Sequence, residues 1–115
     1  MNKNAIIAIA LFLITDAIVW FQLNAQFISE WWKQRPILMC ALTAFPIAFG
    51  YYYAWSHAIV AFGGWWATRF IGFALTFFVF PPLTWYFLGE SPFTLKTMAC
   101  VFLAMCILGV QAYLK

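Results

Sequence analysis

Asp16 is one of three acidic side chains in this chain, and it stands near the middle of the first of four long apolar stretches. In a helix beginning near Asn4, about twelve residues earlier, a rise of about 1.5 Å per residue puts it within a few ångströms of a bilayer midplane. A carboxylate at that depth costs about 2.5 to 3.5 kcal/mol on insertion scales and has to face a protein interior or a wet cavity. Removal from water favours the neutral acid, so the chemistry on offer is reversible protonation, or pairing with a passing cation. The rival reading is a carboxylate that only fixes packing through an interhelical partner.

Steps of four from Asp16 reach Trp20 and Asn24, so the three project from one helix face. An anion one turn from an indole makes a seat for a hydrophobic cation, by charge pairing and by the ring quadrupole. Ordinary helix packing is the alternative role for Trp20. Arg69 is the one basic residue that falls inside an apolar stretch. If the preceding turn is at Gly63-Gly64, Arg69 lies near a helix start, about 15 Å in height from Asp16, as an interface anchor or a clamp at a cavity mouth. If the turn is near Ser56-His57, it comes level with Asp16 and an ion pair forms. The glycine pair is the better helix breaker and the favoured geometry. Tyr51, Tyr52 and Tyr53 cover most of a helix circumference, so at least one faces the bundle, with Tyr52 as the candidate.

His57 has no second ligand or nucleophile at a useful spacing, which suits a polar helix end. Cys40, Cys100 and Cys106 lie within apolar runs and read as small buried hydrophobes rather than a disulfide or metal framework. There is no phosphate-cradling loop, catalytic triad or paired metal ligand, so no enzyme, metal or cofactor is expected. A net charge of +3, spread evenly, points to lipid headgroups rather than nucleic acid.

The elements that must position Asp16 follow from hydropathy. The chain is 67% hydrophobic and 23% aromatic, and nine of its 115 residues are charged. Its apolar runs are continuous rather than alternating, and backbone in lipid must satisfy itself, so the expected fold is all-α and membrane-integral. A single domain over 1–115 is expected, with four transmembrane helices at about 4–23, 36–60, 66–88 and 92–114. The first run is read as a retained helix because no small-x-small cleavage site follows it. Trp31 and Trp32 beside Lys33 and Arg35 suit a membrane interface. Pro36 suits a first helical position, and Gly89 a left-handed cap. Ser91-Pro92 predicts the start of the fourth helix. Pro46 should bend the second helix, and Pro81 and Pro82 should kink or unwind the third, so all three are hinge candidates. Cys100, Ala104 and Gly109 give the fourth helix a modest signal for contact between chains. With an even number of spans, Lys3 and Lys115 share one side and Lys33, Arg35 and Lys96 the other, which sets no orientation.

Four short spans, an acid in the first and prolines in the third come together with two passages, Thr76 to Glu90 (TFFVFPPLTWYFLGE) and Phe93 to Thr97 (FTLKT). In these the chain resembles the drug/metabolite transporter superfamily, and more narrowly its four-helix small multidrug-resistance proteins and a related uncharacterised branch. Thr76, Val79, Phe80, Pro82 and Glu90 look like that branch, as does a basic residue at Arg69. The resemblance implies that Asp16, in place of a glutamate, is shared by protons and substrate in an antiparallel homodimer of a bacterial-type inner membrane.

The expected function is therefore a proton-coupled exporter of small hydrophobic or cationic compounds. Asp16 would bind proton or cargo, with Trp20, Asn24, Tyr52 and Arg69 around it. Two other readings stand beside it. One is an accessory subunit of a larger membrane complex in contact with lipid, quinone or pigment, and the other is a carrier of an anionic metabolite clamped by Arg69.

Overall fold

The computed structural model describes residues 3–113, and its regular structure is entirely helical. Four long helices, α1 (Lys3–Ile28), α3 (Pro36–Phe62), α4 (Trp65–Leu88) and α5 (Leu95–Tyr113), are joined by one short turn of helix, α2 (Glu30–Lys33). Three of them, α1, α3 and α4, are long and apolar enough to cross a membrane, with mean hydropathies of 2.2, 1.5 and 1.6. The fourth, α5, is apolar and shorter, at 19 residues.

The chain breaks where backbone chemistry requires it. Gly63 takes a left-handed φ of 79°, and its N–H closes α3 on the Ile59 carbonyl at 3.0 Å. Gly89 does the same for α4, with φ 73° and a bond to the Trp85 carbonyl. Pro36 opens α3 at the position where a missing N–H is harmless.

Several expected boundaries need correction. The first helix does not stop near Leu23. Asn24 and Gln26 turn their amides onto the carbonyls of Trp20 and Leu23, so these polar residues sit on the helix instead of breaking it. Ser91-Pro92 does not start the last helix, which begins at Leu95. The Ser91 hydroxyl accepts from the Phe93 N–H within the loop, and the Thr94 hydroxyl caps the helix by accepting from the Thr97 N–H at 3.3 Å. Both proline-bearing helices are continuous: α3 runs through Pro46, and α4 through Pro81 and Pro82 without unwinding. The three cysteines are exposed on helix surfaces rather than buried. Leu114 and Lys115, the expected end of the fourth helix, lie outside the described residues.

The helices form a slab of 48 × 35 × 19 Å in which α1 is the central member. It packs between α3 and α4, which also touch each other, whereas α5 packs on α4 alone. Small residues make the contacts: Ala8, Ala54, Ala58 and Ala74 are fully buried, and Phe12, Ile71 and Leu75 fill the space between them. In lipid this is the expected economy, because close backbone approach replaces a hydrophobic drive that tails of equal polarity do not supply. Gly50 carries the closest approach. A Cβ there would run into the Thr15 side chain. One level away, a Cβ on Gly72 would stand 3.2 Å from the Phe12 ring. Asp16 follows Thr15 directly and stands one turn beyond Phe12, so both close contacts of α1 lie next to it.

Candidate functional site

Asp16 is 2% exposed, and it points between α3 and α4. Tyr51 of α3 donates its hydroxyl to one carboxylate oxygen at 2.5 Å. Thr76 of α4 reaches the other oxygen at 3.5 Å, while lying 3.4 Å from the Gly72 carbonyl one turn back. The first bond is tight and the second loose, so the Thr76 hydrogen is divided between two weak acceptors. Among the described residues no lysine, arginine or histidine forms an ion pair with Asp16.

A cavity of about 310 Å³ opens beside the carboxylate. Phe12 and Asp16 come from α1, Tyr51 and Trp55 from α3, and Thr68, Arg69, Gly72, Phe73 and Thr76 from α4. Thr68, Gly72 and Thr76 recur at intervals of four, so one stripe of α4 supplies the small and hydroxylic part of the wall. Gly72 keeps that wall low enough for the Phe12 ring. Arg69 lies seven residues before Thr76, so about 10 Å lower along α4, at the end where α3 turns into α4. It is exposed. The turn is at Gly63-Gly64, which is why Arg69 falls at the cavity's lower end and not level with Asp16.

The structure brings together only two of the five side chains expected at the site, Asp16 and Arg69. Tyr52 is 70% exposed on the outer surface, and the tyrosine that meets Asp16 is Tyr51. Trp20 is fully buried but away from the cavity. Its Nε1 donates to the Thr84 hydroxyl at 2.9 Å, and its ring packs against Phe21 and Phe87. Asn24 donates to the Trp20 carbonyl, which spends its amide within α1. His57 sits near the cavity's end of the bundle, with Nδ1 3.0 Å from the Asn4 side-chain oxygen, tying the start of α1 to the last turns of α3.

Sequence reasoning missed Tyr51, Trp55, Thr68 and Thr76 as wall residues. The stripe at 68, 72 and 76 was the available signal for the α4 pair. No group of three histidine, cysteine or acidic side chains comes together to hold a metal among the described residues. Beyond the Asp16 cavity, a second groove of about 440 Å³ lies between α4 and the start of α5. Arg35 stacks on Trp31 at 4.2 Å, next to Trp32 and Lys33, a pairing of indole and cation suited to headgroup depth. No family model, curated protein or solved structure matches this chain.

Proposed function

We propose that the chain is a small membrane transporter that exchanges protons for small, partly hydrophobic cations, with Asp16 as the shared site. The observation that carries this reading is a buried carboxylate held by hydroxyls alone, in the wall of a cavity. A fixed cation would neutralise Asp16 permanently. Hydroxyls leave it free, because a rotating O–H donates to the carboxylate and accepts from the protonated acid. At about 310 Å³ the cavity falls at the small end of ordinary ligand sites, which span about 300 to 1,000 Å³. Tyr51, Trp55 and Phe73 offer ring faces to a cation that displaces the proton. Competition for one carboxylate couples the two fluxes, provided the site opens to each side in turn.

In this reading α5 is the fourth span and the working unit is a homodimer, since one slab of helices encloses little space for an alternating site. The resemblance to four-helix small multidrug-resistance proteins supports the same assignment, together with an antiparallel pair in a bacterial-type inner membrane. The test is exchange in liposomes. Purified protein, a pH gradient and tetraphenylphosphonium should give uptake that Asp16→Asn abolishes, and full uptake by that variant would eliminate the mechanism. Extraction in mild detergent should yield a self-associated dimer, whereas a stable larger assembly would make the chain an accessory subunit.

One observation favours a second reading. Among the described residues Arg69 lines the same cavity without an ion-pair partner, as a clamp for an anionic metabolite requires. Arg69→Gln distinguishes the two, since it should abolish uptake of an anion and leave that of a cation.

A further inference from the structure

The Asp16 cavity and the α4–α5 groove share one residue. Thr76 lines both, with Asp16, Arg69 and Tyr51 on one side of it and Phe80, Pro81, Thr84, Glu90 and Lys96 on the other. The two spaces extend toward opposite ends of the bundle. The cavity runs down to Arg69, near the α3–α4 turn, whereas the groove runs up to Glu90 and Lys96, in the α4–α5 loop and the first turn of α5. We infer that Thr76 is the partition of a single proton path across the bundle, its hydroxyl passing the Asp16 proton to water in the α4–α5 groove. This rests on the exchanger reading and names the exit route of its site.

The groove has the polar partners that bound water needs. Pro81 has no N–H, so the Phe77 carbonyl lacks its usual donor at the height where both residues line the groove. In membrane helices such freed carbonyls are served by ordered water or by neighbouring hydroxyls. Thr84 stands two turns on from Thr76, and its hydroxyl oxygen already accepts from Trp20. Ser91, Thr97, Glu90 and Lys96 carry the line of polar groups to the loop. A water in the upper part thus finds several partners, as buried water requires.

Thr76 is also suited to the step itself. Its hydroxyl is 3.5 Å from Asp16 and 3.4 Å from the Gly72 carbonyl, so its hydrogen is firmly held by neither. With Asp16 protonated, the acid's O–H bond breaks as its proton goes to Thr76 Oγ1, while the original threonine hydrogen leaves to a groove water. The products are a carboxylate, an intact hydroxyl and a hydronium ion. Tyr51 cannot substitute, because it lies on the cavity side and does not line the groove.

Two measurements on the full chain in liposomes test this. Cys100 lines the groove, whereas Cys106 faces a different, apolar surface pocket on α5. With the other two cysteines replaced by alanine, a membrane-impermeant cationic methanethiosulfonate should modify Cys100 at least about tenfold faster than Cys106, because thiolates form in water. A Cys100 that stays unmodified means a dry groove and overturns the inference. In the second measurement, Thr76→Val should slow pH-driven tetraphenylphosphonium uptake by at least about tenfold, since a positioned proton-transfer group contributes about 10²- to 10⁴-fold. Affinity, read from tryptophan fluorescence, should stay within about twofold, and Thr76→Ser should restore the rate. Wild-type turnover in the valine variant, or an equal loss in both variants, overturns the relay. An inert Cys100 with normal uptake sinks the relay alone, whereas a reactive Cys100 without uptake in the wild type sinks the exchanger.

Discussion

Asp16 and Trp20 occupy the same face of α1, one turn apart, and both are almost completely buried with a polar atom to satisfy. Trp20 is satisfied once and for all. Its single donor meets Thr84, its ring packs against Phe21 and Phe87, and it does not line the Asp16 cavity. Asp16 is satisfied by two hydroxyls that rotate, one close and one loose, beside open space. Burial alone therefore does not mark a working group. What distinguishes Asp16 is that its partners can exchange roles as its charge changes, and that something else has room to approach it.

That contrast can be broken or sharpened by substitution. The largest expected effect is from Asp16→Asn, which keeps shape and loses the charge. Exchange in liposomes should fall by at least about a hundredfold, with the fold intact by circular dichroism. Next comes Gly50→Val, aimed at the crossing that seats Thr15 and hence Asp16. Overpacking there should cost about 1 to 3 kcal/mol, seen as earlier thermal unfolding in detergent, with exchange lost in proportion to misfolded protein. Tyr51→Phe removes the close donor and should slow exchange about tenfold without a comparable loss of stability. Trp20→Phe should do the reverse, costing about 1 kcal/mol for the lost bond to Thr84 and leaving exchange near normal. An exchange defect in Trp20→Phe as deep as in Tyr51→Phe would erase the distinction between the two residues. The smallest effect belongs to Tyr52→Phe, whose exposed hydroxyl should be dispensable in both assays.

The contrast between these neighbours also explains what the sequence could and could not convey. Long apolar runs, Gly63-Gly64, Gly89 and Pro36 dictate where helices lie and where they turn, because those signals act through local backbone chemistry. Asp16 was legible for a similar reason, since its depth follows from counting along one helix. Rotation about a helix axis was not. When core and lipid are equally apolar, no polar face records which side of α3 meets α1, so Tyr51 and Tyr52 look equivalent in the sequence. The choice is made by Gly50, which lets α3 close on Thr15 and turns Tyr51 inward. Which of its two roles Trp20 takes was not legible either, because its partner, Thr84, lies 64 residues away. The start of α5 was misread because Ser91 and Thr94 are equally plausible caps, and only the chain's path from Gly89 decides between them.

The attachment of α5 to α4 alone has a mechanical consequence. A helix with a single neighbour travels with it, so any tilt of α4 swings α4 and α5 as one rigid paddle. In the proposed exchanger the groove between them would keep its dimensions through such a tilt, whereas the chamber at Asp16, with walls from three helices, would widen or pinch.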